Sequence, residues 1–141
     1  MTSSLTGQGI IETDGHLDRA SLPSTWVPGR NLVFLSLAVA EAGAGGQVYI
    51  GVNQLDFSGY PDCRGTFIDA FRLATRRAFD GNGPDILSPL LHLTKARVIS
   101  TGQNLGAPLH LTLSCYQPEQ GKPCGVCDSC RIRAAAFAEV G

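Results

Sequence analysis

Four cysteines near the C-terminus carry the plainest chemistry in this sequence. They fall in residues 114–130, SCYQPEQGKPCGVCDSC, at the spacing C-x8-C-x2-C-x2-C. Thiolate is a soft ligand, and Cys115, Cys124, Cys127 and Cys130 together supply a closed tetrahedral shell for one Zn²⁺ per chain. Gly125 permits the tight knuckle in which amide groups turn toward sulfur, and Gly121 and Pro123 stiffen the return from Cys115. An iron–sulfur cluster competes with zinc, because C-x2-C-x2-C also opens the ferredoxin run. Against it, Cys130 is followed by Arg131 and no C-x3-C-P continuation follows. Unliganded or disulfide-paired cysteines are the third reading. A closed four-thiolate shell has no open position for substrate, so a zinc here is a structural staple. The fifth cysteine, Cys63 in SGYPDCR, reads first as a partly buried small residue, with a nucleophile as the alternative.

The elements that must position these groups follow from periodicity and turn signals. Residues 31–42, NLVFLSLAVAEA, are apolar on nearly all faces and read as a helix capped by Asn31, ended by Gly43 and buried on most sides. QVYIGV (47–52) reads as a buried strand, and NQLDFSGYPDCRG (53–65) as a turn-rich loop. Residues 66–79 form an amphipathic helix with Phe67, Phe71, Ala74 and Ala78 on its stripe. ILSPLL (86–91) is a second short strand, Thr94 caps a helix running to about Leu105, and LHLTLSC (109–115) is a third extended piece. A last helix spans 129–140. The runs AGAGGQ (42–47) and DGNGPD (80–85) read as turns, and residues 1–25 as a flexible lead-in to one domain over 26–141. Helix and strand alternate, which predicts an α/β fold with parallel strands.

Charge and hydropathy remove several classes of function. Lys plus Arg number 11 against 12 acidic residues, so no basic excess marks a surface for long nucleic acid. No apolar run approaches the roughly 18–20 residues that span a bilayer, and the first residues lack a signal-peptide pattern. The expected compartment is the cytoplasm, where clustered thiols stay reduced and bind metal.

Four stretches in order, VPGRN (27–31), GVNQLDFSGYPDCR (51–64), SPLLHLTKA (88–96) and the cysteine segment, are similar to the 7-cyano-7-deazaguanine synthase family. The resemblance runs from about residue 24 to the C-terminus. It implies a carbon–nitrogen ligase of queuosine biosynthesis on a Rossmann-like sheet of the adenine nucleotide alpha-hydrolase type. In such an enzyme ATP with Mg²⁺ activates the carboxylate of 7-carboxy-7-deazaguanine as an adenylate, ammonia gives the amide, and a second activation drives dehydration to the nitrile. By that resemblance Arg30 and Asn31 hold an anionic group at a helix start, and Asn53, Asp56, Ser58 and Tyr60 surround the substrate. Asp62, Arg64 and Lys95 would serve the activated carboxylate and the departing pyrophosphate. Read singly, the arginines fit surface ion pairs, the aspartates turn formers, and Lys95 a solvated helix start.

The family opens on a strand and a Ser-Gly-Gly-x-Asp-Ser pyrophosphate loop, a run that these 141 residues do not contain. A truncated sheet follows as an expectation, with a chain unable by itself to activate a carboxylate. Apolar positions such as Leu32, Phe34 and Leu35 are then expected to be covered by self-association, as a homodimer, or by a second chain bearing the nucleotide half. The alternative is a non-catalytic deazapurine-binding or zinc-stapled interaction module.

Overall fold

The computed structural model describes residues 3–5, 11 and 22–141, apart from the side chains of Phe57 and Ser58. Most of the lead-in assigned to 1–25 therefore lies outside the described residues. Of those described, Ser3 and Ile11 are buried, and the Ser4 N–H donates to the Ser24 carbonyl at 2.9 Å. The chain divides into a unit of residues 27–92 and a unit of residues 1–26 with 93–141.

The 27–92 unit holds a parallel pair of strands, β1 (Gln47–Tyr49) and β2 (Asp85–Leu87), in the register Gln47↔Asp85, Val48↔Ile86, Tyr49↔Leu87. Val48 and Ile86 sit opposite each other and pack with Leu35 and Val39 of α1 (Arg30–Ala42) and Ile68 of α3 (Gly65–Ala78). The fold class is α/β with a small parallel sheet, as the alternation predicts. Both strands are shorter than their sequence ranges. Pro89 has no N–H for a ladder, and the chain turns at once, with the Leu91 N–H donating to the Ser88 carbonyl.

The cap of α1 is Gly29, at φ 73°, and not Asn31. The side chain of Asn31 is drawn away to residues 62 and 63, so the cap moves to the residue that tolerates a left-handed backbone. The buried line Asn31, Leu35, Val39 follows the i, i+4 repeat of one helix face. Leu32, Val33, Phe34 and Leu37 are exposed, so among the described residues α1 is covered on one side only, contrary to the reading of burial on most sides. On α3 the buried positions are Ile68 and Thr75, with Phe67 and Phe71 packed beside them, while Ala74 and Ala78 face solvent. The buried face is the one that carries Ile68 into the core with Val48 and Ile86, and the backbone at Gly83 lies against Thr75, where an added Cβ would come to 3.0 Å.

Both glycine-rich runs are turns, at the start of the two strands. The Gly45 N–H donates to the Asn82 carbonyl at 3.2 Å, which ties the two turns together. The carboxyl ends of the strands therefore lead into residues 50–64 and 88–92. The expected loop 53–65 is itself structured, with a short helix α2 (Gln54–Gly59) and a single 3-10 turn at Pro61–Cys63.

In the other unit, α4 (Lys95–Asn104) starts at Thr94, whose hydroxyl accepts from the Arg97 N–H at 3.2 Å. It packs Ala96 and Ile99 against Ala136 of α5 (Asp128–Val140), with Leu109, Phe137 and Val140 alongside. The third strand anticipated over 109–115 does not form. Pro108 breaks the ladder and leads into a 3-10 turn, Leu109–Leu111, closed when the Thr112 hydroxyl donates to the Leu109 carbonyl at 2.7 Å. No helix among the described residues is long and apolar enough to cross a membrane.

Candidate functional site

The four C-terminal cysteines converge. Each offers its Sγ, and the four atoms lie within 4.8 Å of one another. Tetrahedral Zn²⁺ with Zn–S bonds of about 2.3 Å requires sulfurs about 3.8 Å apart, so this cluster needs only a small contraction to close on the ion. All four are free thiols in this structure.

Main-chain amides already point at the sulfurs. Gln117 and Cys124 donate to Cys115 Sγ at 3.3 and 3.2 Å, and Cys127 donates to Cys124 Sγ at 3.4 Å. Gly125, at φ 79°, lies in the turn that brings the Cys127 amide back to Cys124. The amides of Cys127 and Val126 hold the Cys124 thiol down to about 6, so it ionises readily. Burial pushes the Cys130 thiol up to about 12, with the neighbouring thiols acting the same way. Four packed thiols cannot all ionise without a cation among them, and a divalent metal ion held there would supply that charge. Ile11 packs against Cys127 and Cys130, with Tyr116 beside them, and closes the apolar side of the centre. Nothing in the spacing of the sequence marks Ile11 for that place.

The second group of candidates sits in the 27–92 unit, on the connection from β1 to α3. Asp62 is buried, and its Oδ2 accepts the Asn31 main-chain N–H at 3.0 Å. The Asn31 amide donates to the Asp62 carbonyl at 3.0 Å and to Cys63 Sγ at 3.2 Å. The anion at the start of α1 is thus the protein's own carboxylate, a favourable place for it. Cys63 packs with Val52 and Leu91, and burial, then the carboxylates of Asp56 and Asp62, push its thiol up to about 12. That leaves it a buried neutral thiol, not a nucleophile. Asp62 Oδ1 is buried and has no donor among the described residues.

Asn53 and Asp56 form a capping box on α2. The Leu55 N–H donates to Asn53 Oδ1 at 2.9 Å, and the Asn53 N–H to Asp56 Oδ2 at 3.1 Å. Tyr60 ends α2 and packs against the Val52–Cys63–Leu91 cluster. The side chain of Ser58 lies outside the described residues. Arg30 opens α1 half-buried and lowers the Cys63 thiol slightly, while Arg64 is exposed at the start of α3. Lys95, half-buried in the first turn of α4, belongs to the other unit together with the cysteines. The structure therefore brings together Asn31, Asp62 and Cys63, with Arg30 and Asp56 near that thiol, and leaves Arg64 facing solvent.

Comparison with known proteins identifies the family to which the chain is similar. The family model described as queuosine biosynthesis protein QueC matches residues 1–141. A 7-cyano-7-deazaguanine synthase of Leptospira biflexa is 53% identical over 132 residues, covering 88% of this chain and 53% of that protein. Those of Leptospira interrogans and a Nostoc species are 45% and 50% identical over 145 and 148 residues, which are 60% and 64% of their lengths. The chain spans between about half and two thirds of the curated relatives it matches. Matched along its whole length, with the thiol cluster assembled, the chain belongs to the QueC family of queuosine biosynthesis proteins.

Proposed function

We propose that this chain provides the substrate-binding loop and the zinc staple of a 7-cyano-7-deazaguanine synthase, which converts 7-carboxy-7-deazaguanine and ammonia to the 7-cyano product at the expense of ATP. The observation that carries the reading is the family match over residues 1–141. The position of the acidic loop supports it, because open parallel α/β sheets bind ligands beyond the carboxyl ends of their strands. Residues 50–64 leave β1 at that end. On this reading Arg30, Arg64 and Lys95 serve anionic groups, while Asn53 and Asp56 shape the loop through the α2 cap.

The sheet is then one part of an adenine nucleotide alpha-hydrolase-like fold working in the cytoplasm, with residues 26–141 acting as one functional domain. ATP and Mg²⁺ belong to a nucleotide-binding α/β unit. A homodimer or a second polypeptide covers Leu32, Val33, Phe34 and Leu37, which α1 leaves exposed. Zinc, held by Cys115, Cys124, Cys127 and Cys130, supplies no chemistry to the reaction and fixes the loop from Cys115 to the start of α5.

The test is turnover of 7-carboxy-7-deazaguanine with ATP and ammonium by the zinc-loaded chain, alone and mixed with the unmatched part of the Leptospira biflexa relative. Appearance of the nitrile mass in either mixture supports the reading. Failure of the chain to bind 7-carboxy-7-deazaguanine at all sinks it.

A further inference from the structure

Buried carboxylate oxygens in folded proteins almost always have a donor. Asp62 Oδ1 has none among the described residues, although the residue as a whole is only 7% exposed. Its partner oxygen is fixed at 3.0 Å from the Asn31 main-chain N–H, and the Asn31 side chain clamps the backbone at residue 62 and the sulfur at residue 63. The carboxylate therefore has one orientation, with Oδ1 held ready and unpaired. Neither Arg30 nor Arg64 satisfies it, close as both lie in sequence to this network.

We propose that Asp62 Oδ1 is the specificity-determining acceptor for the N–H edge of a flat heterocycle bearing an exocyclic amino group. The inference rests on the deazaguanine reading above and narrows it. A carboxylate repels the substrate's carboxylate and the phosphates of a nucleotide, so its partner is the N–H-rich ring edge and not the anionic end. Oδ1 is closed to solvent, so a ring reaches it only when an element packed on the Pro61–Cys63 turn, such as the six-residue α2, moves aside. A donor delivered there is shielded from water, and a ligand lacking it leaves the oxygen as bare as before. Asn31 is the positioning residue of this arrangement and touches no ligand.

Calorimetric titration of the full zinc-loaded chain tests this with three ligands: 7-carboxy-7-deazaguanine, its 2-deamino counterpart and its 2-oxo counterpart. The wild type is expected to bind the amino form at least about tenfold more tightly than the deamino form, as for loss of one shielded hydrogen bond. Asp62→Asn keeps an oxygen for the Asn31 N–H and places an amide donor where Oδ1 stood, so preference should switch to the 2-oxo ring. Equal wild-type affinity for the amino and deamino rings overturns the proposal without any variant that must fold. An Asp62→Asn chain that keeps the wild-type ranking, with zinc content and Cys63 protection intact, also overturns it and leaves the deazaguanine reading standing. No binding of any ring by the wild type overturns both.

Discussion

Replacing Asn31 by alanine probes the network that holds the acidic loop to α1. The Asn31 amide makes two buried bonds, to the Asp62 carbonyl and to Cys63 Sγ, while the contact from its main chain to Asp62 Oδ2 survives the change. Truncation leaves a buried carbonyl without a partner, removes a weaker bond to sulfur and opens a small void. Together these cost about 2–3 kcal/mol. Because Cys63 is 3% exposed, its alkylation reports the opening of this region, and the zinc-bound thiols stay silent.

In native buffer at pH 8 with zinc, labelling of Cys63 proceeds from the opened state, where the thiol has ordinary acidity. The rate then follows the opening equilibrium, and 2–3 kcal/mol becomes a rise of about 30- to 150-fold. Peptide mass mapping after timed iodoacetamide exposure reads it directly. A rise below about threefold would falsify the claim that the Asn31 side chain holds Asp62 and Cys63 in place.

Three further outcomes follow from other parts of the molecule. Cys127 is fully buried in the thiol cluster, so Cys127→Ser should lower zinc affinity more than about 100-fold and lower the melting temperature; X-ray absorption of the wild type should show four sulfurs at about 2.3 Å, and iron or a nitrogen ligand would contradict the assignment. Burial raises the Cys63 thiol from 9.0 to about 12, so it is protonated in both states below pH 9, and above that the unfolded chain loses the proton first; stability should fall as pH rises from about 9 toward 12 by up to about 1.4 kcal/mol per pH unit, a slope that Cys63→Ala removes in urea titrations. An added Cβ at Gly46 would lie 2.5 Å from the Ala42 carbonyl oxygen, which is backbone and cannot yield, so Gly46→Ala should destabilise by about 1–3 kcal/mol, whereas Gly51→Ala, with nothing within 4 Å, should cost under about 0.5; equal effects would refute the packing argument.

The helices and the metal centre were legible because their signals are local. Thr94 caps α4 where the sequence places it, and the Cys-x-x-Cys spacing dictates a knuckle whatever surrounds it. What failed to read was decided by partners distant in sequence. Asn31 looks like a cap until the Asp62 carbonyl, thirty-one residues away, takes its side-chain amide. LHLTLSC has strand composition, yet Pro108 and the Thr112 hydroxyl turn it into a 3-10 segment. The loop at 53–65 is dense in turn formers, and the same residues, Asn53 and Asp56, satisfy each other as a capping box and make a helix instead. The role of Cys63 was open for the same reason, since only packing against Val52 and Leu91 shows the thiol to be neutral and enclosed.

That distinction bears on how the loop can act. Its acidic and amide groups are turned inward, Asp62 and Asn31 toward each other and Asp56 toward the start of α2. The cations beside it are not: Arg64 is exposed and Arg30, on α1, half-buried. An anionic ligand end therefore meets the arginines with little reorganisation, while Asp62 Oδ1, an enclosed acceptor without a donor among the described residues, is reached only by a group that can displace what packs over it and supply an N–H. On the reading proposed here, a deazaguanine bearing a carboxylate has both ends, and the loop sorts them by burial. A carboxylate attached to a ring without N–H donors would engage the arginines and stop there. Binding of such a compound as tightly as 7-carboxy-7-deazaguanine would show that the enclosed oxygen plays no part.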